Sequence, residues 1–173
     1  MCSSDLRVTP SHPARVVVEV ECREPVAMVG VKGGLLAIDA EATVLPSADF
    51  TAEAASRYPR ISGVISSPQG PEGTPWGDPL VEEAAALAAA IAPEWNELGL
   101  IECRPEVEQG RRHWLLVRDG GGTIRFGSAP GREAAGEPVA AAKVARLRSL
   151  VADDGDIDLT VAAPEGPQPA AVP

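Results

Sequence analysis

The sequence is poor in aromatic residues, cysteine and histidine, and these shortages limit the chemistry that the protein can support. Aromatic residues make up only 3% of the 173 residues, so alanine, valine and leucine supply most of the hydrophobic character. The 3 cysteines and 2 histidines are scattered, and no C-x-x-C pair of the kind found in structural zinc sites occurs. The sequence therefore predicts neither a metal nor a cofactor.

Basic residues are also in the minority. The 15 lysines and arginines stand against 25 aspartates and glutamates, which gives a formal net charge of −10. Nucleic acids and anionic lipid surfaces both require a cationic footprint, so neither is an expected partner. A hydrophobic fraction of 45% instead indicates a folded, globular chain with one sizeable core.

Long apolar runs and a secretory leader are missing from the sequence. No stretch approaches the roughly 20 apolar residues that a transmembrane helix needs. Residues 1–6 look foreign, because a nucleotide string that encodes them matches the end of a common sequencing adapter. We expect them to be an adapter-derived leader on a truncated reading frame whose native N-terminus is missing.

Two cysteines remain beyond that leader, Cys22 and Cys103. A disulfide between them is compatible with an oxidising envelope compartment. The alternative is that both are unpaired and buried as small hydrophobic residues, and the sequence favours this second interpretation.

Alternating apolar residues and glycine turns predict β-structure in both halves of the chain. Gly33-Gly34 and Gly120-Gly121-Gly122 are typical of hairpin turns, and neither run precedes a helix as a phosphate-binding loop would. The predicted strands and extended segments are residues 14–22, 26–31, 35–38, 58–64, 100–104, 113–119, 123–126 and 156–161.

Two helices are predicted between these strands. The first begins after a Pro/Gly-rich loop anchored by Trp76, with Asp78 as N-cap and Pro79 in the first turn. Its buried stripe comprises Leu80, Ala84, Leu87 and Ile91. The second helix covers residues 137–151, with Arg146 and Arg148 toward solvent. This order predicts an α+β fold with a mixed or antiparallel sheet covered by two helices.

No set of residues in the sequence forms a catalytic motif. Asp39 is the best isolated carboxylate for a catalytic role, but a turn residue that caps local backbone amides explains it more simply. The serines lack a G-x-S-x-G elbow, and His113 has no evident partner. We therefore predict that the protein is not an enzyme.

Several motifs resemble, in order, those of the extracytoplasmic region of the FtsQ/DivIB cell-division proteins. The first is Arg-Glu-Pro-Val-Ala at residues 23–27, followed by Ile38-Asp39 and then Val44-Leu45-Pro46. The others are Tyr58-Pro59-Arg60-Ile61-Ser62-Gly63, the hairpin of residues 114–127, Lys143 with Leu147 four residues later, and Ile157-Asp158-Leu159-Thr160, where the family usually has I-D-L-R. Together they cover about residues 7–161.

This resemblance implies a non-catalytic scaffold that docks partner division proteins of the FtsB/FtsL type during septum formation. It implies a single-pass inner-membrane protein with this region in the periplasm, attached through a missing N-terminal transmembrane helix. An FtsQ-like β domain would cover residues 23–161, after remnant strands of a POTRA-type domain in residues 7–22. The Pro/Ala-rich residues 162–173 are expected to be a disordered tail.

The final predicted strand is the expected docking site, because only the tail follows it and it should lie at a sheet edge. Edge strands offer unpaired backbone groups to which a partner can add a strand. The predicted partner-binding residues are Asp156, Ile157, Asp158, Leu159, Thr160 and Val161, with the side chains of Ile157, Leu159 and Val161 setting the register. The flanking carboxylates are either charges that protect the edge or a feature that favours a basic partner, and they include Asp153 and Asp154.

Two other functions remain open from the sequence. One is a POTRA-type envelope assembly protein. The other is an uncharacterised envelope enzyme or small-ligand binder, which a pocket lined by Asp39, His113 and Arg125 would support.

Overall fold

The fold was examined in a computed structural model, which describes residues 4–11, 15–150 and 155–162. At the N-terminus, β1 (Ser4–Ser11) and β2 (Arg15–Cys22) pair antiparallel as a separate two-stranded sheet. β1 thus begins inside the predicted leader. The predicted tail from residue 163 onward lies outside the described residues.

The main sheet has seven described strands in the order β4-β3-β5-β6-β7-β8-β9. Their bounds are β3 Ala27–Val31, β4 Gly34–Ile38, β5 Arg60–Ile61, β6 Leu100–Glu108, β7 Arg111–Arg118, β8 Thr123–Gly127 and β9 Ile157–Asp158. Three neighbouring pairs are parallel (β3 with β5, β5 with β6, β8 with β9) and three are antiparallel. The prediction of a mixed sheet in an α+β fold is confirmed.

β5 is short but central. Ile61 pairs with Val29 of β3 on one side and with Cys103 of β6 on the other, in parallel register with both. It is fully buried. The sequence predicted an extended segment here, and the structure shows that this segment joins the two halves of the sheet.

Helix α2 (Pro79–Ile91) begins where the sequence predicted, because the Asp78 carboxylate accepts a hydrogen bond of 2.9 Å from the Leu80 amide. Leu87 and Ile91 are fully buried, whereas Leu80 lies at the margin of the core. Trp76, which precedes the helix, is also fully buried, as predicted. The short helix α1 (Ala52–Ala55) packs against the other face of the sheet.

Helix α3 (Ala140–Ser149) is shorter than predicted. It starts later because the carboxylate of Glu137 turns back to bind the amides of Ser128 and Ala134 instead of starting the helix. The predicted end at residue 151 lies outside the described residues. Val144 and Leu147 pack into the same core as α2, which also includes the sheet residues Leu116 and Ile124.

Within the described ranges, none of the helices combines the length and apolar character needed to cross a membrane.

Candidate docking edge of the sheet

β9 lies at one end of the order of described strands, next to β8 alone. Ile157 pairs with Ile124 and Asp158 with Arg125, in parallel register. The pairing continues for one further bond, from the Leu159 amide to the Arg125 carbonyl at 2.9 Å. The strand is therefore shorter than residues 156–161, although the chain stays beside β8 through Leu159.

Side chains alternate in direction along this edge. Ile157 and Leu159 are 7% and 1% exposed and belong to the main core, so their side chains are committed to the fold. Asp158 is exposed, and Val161 is 58% exposed. A partner at this edge would meet the backbone and the outward side chains, and it would not contact the side chains of Ile157 and Leu159.

The two aspartates of the edge are used within the chain. Asp156 Oδ1 accepts hydrogen bonds from the Thr123 amide at 2.9 Å and the Thr123 hydroxyl at 2.8 Å, which ties the start of β9 to β8. These bonds lower the pKa of Asp156. Asp158 Oδ1 accepts from the amide and the hydroxyl of Thr160, at 2.8 and 2.6 Å. Asp153 and Asp154 lie outside the described residues.

The backbone amide of Thr160 points away from β8. Because the Leu159 amide points to β8, the amides on either side of it in an extended strand point outward. The outward amide of Thr160 is capped by Asp158, which leaves the backbone of Asp158 as the outward-facing part of the strand. After Thr160, Arg146 of α3 donates to the Val161 carbonyl at 2.9 Å and holds the end of the edge.

A basic pocket lies at the end of the sheet where β8 finishes and β7 begins. Three arginines (Arg111, Arg112 and Arg132) and Glu83 line an open cavity of about 510 Å³ together with Ser128 and nearby alanines. Arg112 pairs with Glu83 at 3.0 Å. The pocket is positive in a chain whose net charge is −10. The sequence did not predict this pocket, because the loop after β8 brings Arg132 beside two residues distant in sequence.

Asp39 caps local backbone, as the simpler interpretation predicted. Its Oδ1 accepts from the amides of Glu41 and Thr43 at 3.0 and 2.7 Å. Its Oδ2 pairs with Arg23 at 2.6 Å, and the Asp39 side chain is 3% exposed. The ion pair links the segment after β2 to the turn after β4, a contact that the sequence did not reveal.

Of the three residues proposed for a catalytic or ligand pocket, Asp39 lies far from His113 and Arg125, which are on adjacent strands. Asp39 follows β4, whereas His113 lies on β7, four strands away in the sheet order. At roughly 4.8 Å per strand, this places them about 19 Å apart. Arg125, on β8, is one strand farther and pairs with Glu108.

Both described cysteines are unpaired, but only Cys103 is buried. Burial raises the pKa of its thiol to about 12, which makes it inert at neutral pH. Cys22 is exposed, so the expectation that both would be buried is wrong for this residue. In the part of the chain that the structure describes, no group of three histidine, cysteine or carboxylate side chains could hold a metal ion.

Comparison with known proteins agrees with the fold. A family model described as "Cell division protein FtsQ/DivIB, C-terminal" matches residues 27–162, which is well over half of the chain. A search among curated proteins returned no significant match. The chain therefore belongs to the FtsQ/DivIB family of cell-division proteins, which are non-enzymatic scaffolds.

Proposed function

We propose that this chain is a non-catalytic scaffold of the division machinery, which docks partner proteins of the FtsB/FtsL type by strand addition at β9 during septum formation. In this proposal the described region faces the periplasm, and an N-terminal transmembrane helix outside this sequence anchors it in the inner membrane. The paired strands β1 and β2 are the last strands of a POTRA-type domain. Their separation from the main sheet supports that assignment.

The position of β9 carries the proposal. It is the outermost described strand next to β8, and Asp158 presents its backbone away from the sheet. A strand added here gains backbone hydrogen bonds without disturbing the core, which the side chains of Ile157 and Leu159 already fill. The edge therefore supplies affinity, while specificity must come from residues around it.

Charge around the edge supports a partner with both signs of charge. Asp156 and Asp158 flank the added strand and favour lysine or arginine in it. The pocket of Arg111, Arg112 and Arg132 lies toward the end of the sheet where β8 finishes, and the planar guanidinium fork suits a carboxylate. Binding through both regions should weaken as salt is raised.

The proposal is tested with an FtsB-type peptide titrated against purified variants. Asp158→Pro removes the outward amide of β9 and, like Asp158→Ala, the carboxylate that caps Thr160. It leaves the Ile157 and Leu159 amides facing β8, so we expect native melting and much weaker peptide binding than in Asp158→Ala. Arg132→Glu should weaken binding about tenfold through the pocket. Lys32→Glu changes the same charge in the exposed β3–β4 turn at the opposite edge and should have no effect.

Equal peptide affinity of the folded Asp158→Pro and Asp158→Ala proteins would place the docking site elsewhere. Equal weakening by Arg132→Glu and Lys32→Glu would assign the charge effect to the whole molecule and remove the basic pocket from the proposal.

A further inference from the structure

We propose that Lys143, acting through Glu137, is a positioning residue that sets where β9 ends and so shapes the docking edge. The link to docking rests on the proposed function. The positioning itself is a property of the free chain and can be measured without a partner.

Lys143 is a buried cation. Its side chain is fully buried, and its Nζ donates to Glu137 Oε1 at 2.5 Å and to the Ser128 carbonyl at 3.3 Å. The same ammonium group lies 4.6 Å from the centre of the Phe126 ring. All three partners belong to the end of β8 or to the loop that follows it.

Glu137 connects the ammonium group of Lys143 to the backbone of the loop between β8 and α3. Its carboxylate, on a side chain that is 6% exposed, accepts from the Ser128 amide at 2.7 Å and from the Ala134 amide at 2.9 Å. One carboxylate thus joins both ends of the loop between β8 and α3. Without Lys143, it would be a buried charge with no cation to balance it.

Gly127, the last residue of β8, lies next to both Glu137 and Thr160. Its φ of +86° suits glycine, and a Cβ built on it would meet both the Glu137 carboxylate and Thr160 Cγ2, the latter at 2.7 Å. Because Gly127 has no Cβ, Glu137 and Thr160 both pack into the space beside its backbone. Thr160 in turn is the residue whose amide and hydroxyl bind Asp158.

These contacts form one path from Lys143 to the end of β9. If the charge of Lys143 is removed, Glu137 must leave its buried position to regain water, and the loop at Gly127 loses its support. Thr160 and the adjoining Leu159 amide should then loosen from β8. The core strands are held by other contacts and should remain protected.

The experiment is hydrogen exchange on the free chain, comparing the amides of Leu159 and Leu116. Leu116 lies in β7 with a neighbouring strand on each side and reports global opening. We expect Lys143→Met to speed exchange at Leu159 by about tenfold or more, with a much smaller change at Leu116. Adding Glu137→Gln to that variant should restore slow exchange at Leu159, because the neutral amide needs no cation and can still accept from Ser128.

A matched control lies on the same helix. Arg148 pairs with the buried Glu94 at 2.5 Å, so Arg148→Met also removes a cation from a buried glutamate but does so away from β9. The Arg148→Met substitution should not selectively speed hydrogen exchange at the Leu159 amide. Three outcomes would overturn the proposal. The first is equal acceleration of hydrogen exchange at Leu159 and Leu116 in Lys143→Met. The others are a selective acceleration at Leu159 in Arg148→Met, or a failure of Glu137→Gln to restore slow exchange.

Peptide titration of the same variants separates this proposal from the proposed function. If exchange responds as expected and the wild-type chain binds the FtsB-type peptide, Lys143→Met should weaken binding and the double variant should restore it. If exchange responds but the wild-type chain binds no peptide, the proposed function fails while the positioning role of Lys143 stands.

Discussion

The carboxylate of Asp158 caps its own strand, since Oδ1 accepts from the Thr160 amide at 2.8 Å and from the Thr160 hydroxyl at 2.6 Å. The outward amide that a partner strand would use at Thr160 is therefore occupied in the free protein. Native proteins commonly blunt sheet edges with charged residues, and here the charge also satisfies the exposed donor.

Removal of this cap should make the Thr160 amide available to a partner strand. Asp158→Ala releases the Thr160 amide, so we expect tighter peptide binding than in Asp158→Asn, which also lacks the charge, and a greater tendency of the chain to self-associate at high concentration. Asp158→Asn keeps an oxygen acceptor and removes the charge, so it should retain most of the cap. Titration calorimetry and sedimentation check both variants, and weaker binding by Asp158→Ala than by Asp158→Asn would show that the cap does not compete with a partner.

The start of α2 should depend on acidity through Asp78. Hydrogen bonds from the Ser66 hydroxyl at 2.5 Å and the Leu80 amide lower the pKa of Asp78 below its ordinary value of 3.8. A lowered folded-state pKa stabilises the fold above pH 3.8, and this contribution is lost as the pH falls through the folded-state value. Trp76 Nε1 donates to the same Ser66 hydroxyl at 3.1 Å, which ties the preceding loop into the arrangement.

Asp78→Ala should therefore cost about 1 kcal/mol of unfolding free energy at neutral pH, the usual value for a lost N-cap. Asp78→Asn should cost less, because asparagine also caps helices. Urea denaturation at neutral and acid pH measures both, and a wild-type-like acid dependence in Asp78→Asn would contradict this role of the carboxylate.

Glu137 should also make the stability of the fold depend on pH. Burial acts to raise the pKa of Glu137, but hydrogen bonds from Lys143 and two backbone amides outweigh it and lower the pKa from 4.5 to about 2. The ionised Glu137 carboxylate therefore adds its full share to the free energy of unfolding above pH 4.5. This share is lost as the pH falls toward about 2. A shift of this size corresponds to on the order of 3 kcal/mol.

The double variant Lys143→Met with Glu137→Gln has no titrating pair and should lack this acid-dependent loss. Urea unfolding between pH 5 and the acid limit would compare it with the wild-type chain. Parallel pH profiles for the two proteins would mean that other carboxylates govern acid stability.

The buried face of α2 can be tested with a single charge. Leu87 is fully buried, so Leu87→Asp should cost several kcal/mol and unfold the domain. Ala89→Asp places the same charge at a partly exposed position of the same helix and should be tolerated far better. Thermal melting followed by circular dichroism distinguishes them, and similar melting of both variants would contradict the assigned face.

Local patterns were enough to predict many of the elements. The hairpins at Gly33 and Gly120 and the capped start of α2 at Asp78 depend on contacts between residues close in sequence. The burial of Leu87 was predicted from the helical spacing of apolar residues. The backbone-capping role of Asp39 also follows from such contacts, since its Oδ1 accepts from the amides of Glu41 and Thr43. The order of the motifs along the sequence likewise predicted the family, which the family model confirms.

Packing between residues far apart in sequence determined the other features of the fold. The central place of β5 depends on pairing Ile61 with strands far away in the chain, and no local pattern records which neighbours a short strand will find. The late start of α3 has the same origin, because the Glu137 carboxylate accepts from the amides of Ser128 and Ala134 in the loop before the helix. At the β9 edge of the sheet, alternation predicted a strand over residues 156–161, whereas β9 covers Ile157–Asp158. Only the folded sheet determined that Leu159 faces the core and that the Thr160 amide is already bound.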